Sequence, residues 1–343
     1  MRNGTRTAGD TGFRYREGNV QVSVESVGRM DVLVIGGGGT IGSTVAYTLS
    51  VLRPATNVVL ADPRTDHTEG HAIDLRHSTC HVAHPAGRPE FGDGAVGSVT
   101  VESPRPELVS EADCIVVTAS ISRPIDGAER GGRYAFLQGN LEVAEDVGSI
   151  LAEAEPTPTV VVSNPLDRIT HRLWEASGWP RRSIVGYSLS ETARFADVLS
   201  RIADVPPGEI DCPVLGEHGE HLVPAFSRAT AGGEPLDLSA DEREHALEFA
   251  RNAAYEVIKR RGGADTSRWV SARGIACLVV RILEGGVEPI CLSTPLDGEY
   301  GLDGGCLSVP LALSPDGVER IIEWELSEDE RRRLAEAHEA VWG

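Results

Sequence analysis

The chain has 343 residues, 41% of them hydrophobic and 24% charged, which is globular composition and enough length for roughly two domains. Fifty-two acidic residues against 32 basic ones leave a net charge of −20, which argues against nucleic acid or an anionic membrane as the partner. No run reaches the ~18 apolar residues of a membrane span, no apolar signal core opens the chain, and six scattered cysteines form no CxxC pair. A reducing cytoplasm is therefore the expected location, with neither disulfide framework nor zinc site.

Residues 1–29 show weak apolar periodicity and read as an N-terminal extension, or as the product of a start codon placed too early. From Met30 strands and helices alternate. Asp31–Ile35 is an apolar run ending in glycines, as a buried parallel strand should be, and Ile41, Val45, Leu49 and Leu52 then recur at helical spacing. Val58–Ala61 is a second strand that stops at Asp62. Cys114–Ala119 and Thr159–Ser163 are two more, separated by the helical stripe Leu137, Leu141, Ala144, Val147 and Leu151. This order predicts an α/β fold built on a doubly wound parallel sheet.

Beyond Pro165 the order loosens. The sequence predicts a helix carrying Phe195, Val198 and Leu199, then the apolar pair Val214-Leu215. A long helix opens on the capping box Ser239 to Glu242, and another spans about 270–284. Strands are expected near 289–293 and 306–313, and a last helix opens on a second capping box, Ser327 to Glu330. The expected division is an extension over 1–29, a nucleotide-binding domain over 30–165 and an α+β substrate domain over 166–343.

Two motifs carry chemistry. Ile35-Gly36-Gly37-Gly38-Gly39-Thr40-Ile41-Gly42 follows a strand, opens a helix, and precedes Asp62 by about 20 residues. In that context glycines let the backbone approach a pyrophosphate seated on the helix N-terminus, and the acid accepts from the adenosine ribose hydroxyls. The acid would repel a 2′-phosphate, which favours NAD over NADP, although Arg64 nearby keeps that preference open. The second motif is Gly216-Glu217-His218-Gly219-Glu220. A histidine between glycines on a loop is free of helix packing, as a proton-transfer group must be.

Leu215 to Ser227, LGEHGEHLVPAFS, resembles the active-site histidine segment of the NAD-dependent malate/lactate dehydrogenase family. Further segments follow in that family's order: the glycine spacing of IGGGGTIG, typical of the malate branch; GHAIDLRHS from Gly70; VVVSNPLD over 160–167; GEYG over 298–301; and GVERIIEWELSEDE over 317–330. The resemblance covers about residues 30–342 and is nearest to the tetrameric, lactate-like malate dehydrogenases of salt-loving archaea. It implies a Rossmann-type sheet followed by an α+β catalytic domain, NAD as cofactor, a small dicarboxylate (malate or oxaloacetate) as substrate, and a homotetramer.

The resemblance also implies roles. His218 is the proton acceptor and donor, and Arg194 clamps the C1 carboxylate. Arg123 stands where malate dehydrogenases hold the distal carboxylate and lactate dehydrogenases carry glutamine. Asn164 meets substrate and nicotinamide. Gly36, Gly37, Gly39, Thr40, Ile41, Gly42, Asp62, Asn140, Ser163 and Asn164 line the cofactor. Ser267 and Ser271 are weaker candidates for a substrate contact. The loop after Ala119 is longer than the family's, so the arginine that polarises the substrate oxygen is Arg133, with Arg130 as rival.

Glu191 occupies the position where the family orients its histidine with an aspartate. That departure, with the long loop, keeps two alternatives alive: a dehydrogenase of lactate or another 2-hydroxy acid, and an NAD-binding paralogue with impaired catalysis. Finally, Lys259 is the sole lysine. An acidic, lysine-poor surface suits high salt, and a GC-rich genome that codes arginine accounts for it equally.

Overall fold

A computed structural model describes residues 30–83, 96–122, 132–262 and 266–343. The expected extension over 1–29, and Arg123 and Arg130 of the long loop, lie outside them, as does the side chain of Arg133.

The first half alternates as expected: β1 (Asp31–Ile35), α1 (Thr40–Leu52), β2 (Asn57–Ala61), α2 (Thr65–Thr79), β3 (Val99–Glu102), α3 (Pro106–Ser110), β4 (Cys114–Val117), α4 (Leu137–Ala152), β5 (Thr159–Val161), α5 (Leu166–Ser177) and β6 (Ile184–Gly186). These six strands are parallel, in the order β3-β2-β1-β4-β5-β6. The order reverses between β1 and β4, where the strand ends splay apart and leave a crevice for a nucleotide.

Alternation along β1 explains the two-sided packing. Val32 and Val34 join a core with Val45 and Leu49 of α1, while Leu33 and Ile35 join a second core with Ala144, Val147, Ile169 and Leu173 of α4 and α5. A strand covered on both faces must be apolar at every position, and β1 is buried from Val32 onward.

The second half contains α6 (Leu189–Ala203), β7 (Ile210–Asp211), β8 (Val214–Gly216), β9 (Leu222–Pro224), β10 (Thr230–Ala231), β11 (Glu234–Pro235), α7 (Ala240–Arg260), α8 (Arg268–Glu284), β12 (Gly286–Asp297), β13 (Asp303–Ser314), β14 (Gly317–Ile321) and α9 (Glu328–Trp342). Both expected capping boxes form: the hydroxyls of Ser239 and Ser327 accept the amides of Glu242 and Glu330, whose carboxylates accept in return.

The parallel order continues past residue 165 through α5 and β6. The sheet itself does not end there, because β12 pairs antiparallel with β6 at Ser293 and Gly186, and β13, β8 and β9 extend it. Among the described residues eleven strands, with β14 beside β13, thus form one sheet, and the short β7, β10 and β11 lie apart from it. Strands β12 and β13 outrun the segments expected at 289–293 and 306–313. Register shifts between Gly286 and Ile290 and between Pro295 and Asp297 let β12 carry Pro289 and Pro295. No helix among the described residues is long and apolar enough to cross a membrane.

Candidate active site

The glycine loop leaves the end of β1 and doubles back under the start of α1. Gly36 has φ of +87°, and a Cβ there would lie 2.5 Å from the Ala119 nitrogen beyond β4. A Cβ on Gly42 would lie 2.5 Å from the Gly36 carbonyl oxygen. Both positions are therefore closed to any side chain, and their bareness lets α1 and the ends of β1 and β4 meet. The Thr118 hydroxyl fastens the meeting point by donating to the carbonyl of Gly36 at 3.1 Å. Gly37 packs on Leu60 and Gly39 caps α1 with no side chain, so no side-chain group covers the first amides of that helix. Thr40 stands exposed at the first helical position, and Ile41 packs half-buried against the core.

Asp62, at the end of β2, is buried. Its Oδ2 accepts the Gly38 amide at 3.1 Å, and its Oδ1 accepts the Arg64 amide at 3.0 Å and Arg64 Nε at 3.2 Å. Burial alone would raise its pKa, but the bonds and charge of Arg64 and the Gly38 amide outweigh it and hold the carboxyl below the usual range. It is an anion at neutral pH.

Asn140, on the first turn of α4, is fully engaged. Its Oδ1 accepts the Ile121 amide at 2.8 Å and the Ser120 hydroxyl at 3.1 Å, and its Nδ2 donates to the Asn164 carbonyl at 2.7 Å. Ser163 donates to the Ala119 carbonyl. These two residues thus tie the end of β4 to the end of β5. The side-chain oxygen of Asn164 is different: it is buried and accepts from no group among the described residues. A buried acceptor left open costs stability and marks a place for an outside donor.

A second cluster forms where the β8–β9 hairpin meets α5 and α6. Gly216, with φ of +86°, turns the chain, and the buried Glu217 carboxylate closes the turn by accepting the amides of Glu220 at 3.1 Å and His221 at 3.0 Å. Tyr134 donates to Glu217 from the segment ahead of α4 at 3.3 Å, and burial together with Glu217 pushes its phenol up to about 12. The turn presents His218, whose amide donates to Asp167 Oδ2 at 2.9 Å. Asp167, buried at the start of α5, also accepts the Ser293 hydroxyl of β12 at 2.6 Å. One carboxylate thus fixes the histidine backbone to both halves of the sheet.

The imidazole is held separately. His218 Nδ1 lies 2.7 Å from Glu191 Oε2, and Glu191 Oε1 accepts Arg194 Nη1 at 2.8 Å. Glu191 and Arg194 are three residues apart on α6, hence on one face, and Phe195, Val198 and Leu199 continue the same buried side of that helix. The side chains of Glu191, His218 and Arg194 are 2%, 10% and 11% exposed, so the three interact in a poorly screened setting. The extra methylene of glutamate lets one carboxylate reach both partners.

The sequence motifs therefore fall into two sets. Gly36, Gly37, Gly39, Gly42 and Asp62 surround the crevice at the end of β1, with Ser163, Asn140 and Asn164 on its far side. His218, Glu191 and Arg194 gather beside α5. Ser271 is spent on the Ser267 carbonyl at 3.0 Å. Two functional neighbours escaped the sequence reading. Asp167 has the look of an ordinary acid in a helix first turn, and only the meeting of distant elements brings it to His218; Glu217 has the look of a polar loop residue until the folded turn shows it closed by that carboxylate.

A glycine cradle that no side chain fits, an anion for a ribose diol, an open buried acceptor and a histidine backed by a carboxylate define a dinucleotide-dependent dehydrogenase. The model of the lactate/malate dehydrogenase NAD-binding domain matches residues 30–186, and that of the family's alpha/beta C-terminal domain matches residues 191–341. The malate dehydrogenase of Halobacterium salinarum is 36% identical, covering 90% of this chain and 96% of its own. The L-lactate dehydrogenase of Salinibacter ruber is 34% identical over 89% and 93%. Among solved structures, the lactate dehydrogenase of Cryptosporidium parvum complexed with lactic acid and nicotinamide adenine dinucleotide has a TM-score of 0.80 at 24% identity, covering 92% of this chain and 96% of its own.

The chain belongs to the lactate/malate dehydrogenase family, and it is an NAD-dependent oxidoreductase of that family.

Proposed function

We propose that this protein interconverts (S)-malate and oxaloacetate with NAD, as a cytoplasmic homotetramer adapted to high salt, with a nucleotide-binding part and a catalytic part dividing near residue 165. The observation that carries the chemistry is the 2.7 Å contact between His218 Nδ1 and Glu191, whose other oxygen holds Arg194. A carboxylate 2.7 Å from Nδ1 favours the tautomer that carries its proton there, which leaves the lone pair on Nε2, where it accepts the hydroxyl proton during oxidation. The imidazolium so formed is stabilised by Glu191 and returns the proton during reduction. Guanidinium has five donors, so the Arg194 arm spent on Glu191 leaves others for the C1 carboxylate.

Gly36, Gly37, Gly39, Thr40, Ile41, Gly42, Asp62, Asn140, Ser163 and Asn164 would hold the dinucleotide; the open Asn164 oxygen and the glycine cradle both fit it. Bound NAD supplies the hydride acceptor. Asn140 and Ser163 act by holding the strand ends in place, and Asn164 offers its amide to substrate and nicotinamide. Arg133, with Arg130 as rival, polarises the substrate oxygen.

Malate is preferred to lactate because Arg123 supplies a second cation, whose charge a methyl group would leave unpaired. The named relatives support malate and leave lactate, or another 2-hydroxy acid, as the second reading, since an L-lactate dehydrogenase is 34% identical. The test is His218→Ala. Turnover should vanish while NADH still binds, measured by its fluorescence; loss of both would make His218 a structural residue, and retained turnover would remove it from the chemistry.

A further inference from the structure

Asp62 is the acid that should select NAD, yet it is already occupied. Arg64 engages both of its oxygens: the peptide amide and Nε reach Oδ1 at 3.0 and 3.2 Å, and Nη2 reaches Oδ2 at 3.4 Å. The Gly38 amide takes Oδ2 as well. The Asp62 side chain is 5% exposed, while that of Arg64 is 61% exposed. A ribose diol must therefore compete with the arginine for the carboxylate. The guanidinium end of the pair is the exposed one, so it can turn toward a ligand from solvent.

The same pair treats a 2′-phosphate differently. An unpaired carboxylate would repel it, but here Arg64 cancels that charge. Arg64 also brings a planar, bidentate donor of the kind that binds phosphate best, and it does so at the start of α2, where no side chain caps the first turn. Asp66 in that turn opposes the anion, but it lies beyond the arginine and carries one charge against Arg64 and the helix N-terminus together.

We propose that Arg64 opens the adenosine end of this site to 2′-phosphorylated dinucleotides, so that the protein takes NADP as well as NAD. The inference rests on the nucleotide site assigned above.

The test is calorimetric binding of two fragments, 5′-ADP and 2′,5′-ADP, to the full-length protein at one fixed salt concentration, and it needs no turnover. Wild type should bind both within about tenfold of each other. Arg64→Ala should weaken 2′,5′-ADP by roughly ten- to a hundredfold, the worth of one charge-assisted hydrogen bond, and leave 5′-ADP unchanged or tighter. Asp62→Asn, which releases Arg64 from its ion pair, should tighten 2′,5′-ADP, and weaker binding there would contradict the role given to Arg64. Wild type that binds 5′-ADP alone, or an Arg64→Ala protein with an unchanged ratio, overturns the role of Arg64 and leaves the nucleotide site standing. Failure to bind either fragment overturns the site and the inference with it.

Discussion

Replacing Glu191 by aspartate, the residue type that the family resemblance leads one to expect there, should do harm in this chain. The Glu191 backbone sits on α6 at a position from which the longer side chain spans 2.7 Å to His218 Nδ1 and 2.8 Å to Arg194. Removing one methylene retracts the carboxylate by about one carbon–carbon bond, ~1.5 Å, which stretches the His218 contact to about 4 Å, the limit of a close ion pair. Weakening by about 1.5–3 kcal/mol the hold of this buried carboxylate on an imidazolium that forms only during reaction lowers kcat by roughly ten- to a hundredfold. The assay is steady-state oxaloacetate reduction in molar salt, with NADH binding followed separately by fluorescence to show that the nucleotide site is intact. Glu191→Gln tests the charge, because the amide matches the carboxylate in length but cannot stabilise the cation. Wild-type kcat in the aspartate variant would mean that α6 adjusts freely and that the geometry drawn from Glu191 is wrong.

Two further changes probe the scaffold. Gly36→Ala meets the Ala119 backbone at 2.5 Å from a left-handed φ and should cost about 2–4 kcal/mol of stability, whereas Gly39→Ala meets only the Gly36 oxygen at 3.3 Å and should fold nearly as wild type; equal denaturation midpoints would refute the packing argument. Glu330 accepts the amide and hydroxyl of Ser227 and the amide of Ser327, and these bonds outweigh burial to hold its pKa below the usual range. A carboxyl depressed in the folded state stabilises above its unfolded pKa of about 4.3, and that stability is lost as pH falls through the folded value. The stability gap between wild type and Glu330→Gln should therefore be wide at pH 7 and narrow below pH ~4; a gap constant across that range would contradict the linkage.

Much of this was legible in the sequence because the signals are local. Parallel strands buried on both faces must be apolar throughout, and Asp31–Ile35 is; the helices over 240–260 and 328–342 open on capping boxes that can be read from two residues each. The glycine loop and Asp62 follow from spacing alone. Val99–Glu102 and Ile184–Gly186 were not legible, being short strands whose identity comes from the strand beside them. The joining of both halves into one sheet depends on a single pairing of Ser293 with Gly186, more than a hundred residues apart, which no window of sequence contains. The same long-range pairing decides the surroundings of His218. Its motif announced the histidine, but Asp167 and Glu217 acquire their meaning only once β8, β12 and α5 have met. The reach of Glu191 was likewise invisible, since it depends on where α6 places its backbone.

In the proposed reaction Arg123 and Arg194 pair with two carboxylates of one substrate while His218 moves the proton. The most direct test follows NADH oxidation by the purified protein in molar salt with oxaloacetate, pyruvate and longer 2-oxo acids, for wild type and Arg123→Gln. Wild type should turn over oxaloacetate strongly and pyruvate little, and in the variant the ratio should move toward pyruvate by about tenfold or more, as loss of one charge-assisted pair requires. Preference for pyruvate in the wild type, or a ratio indifferent to the arginine, would contradict that pairing.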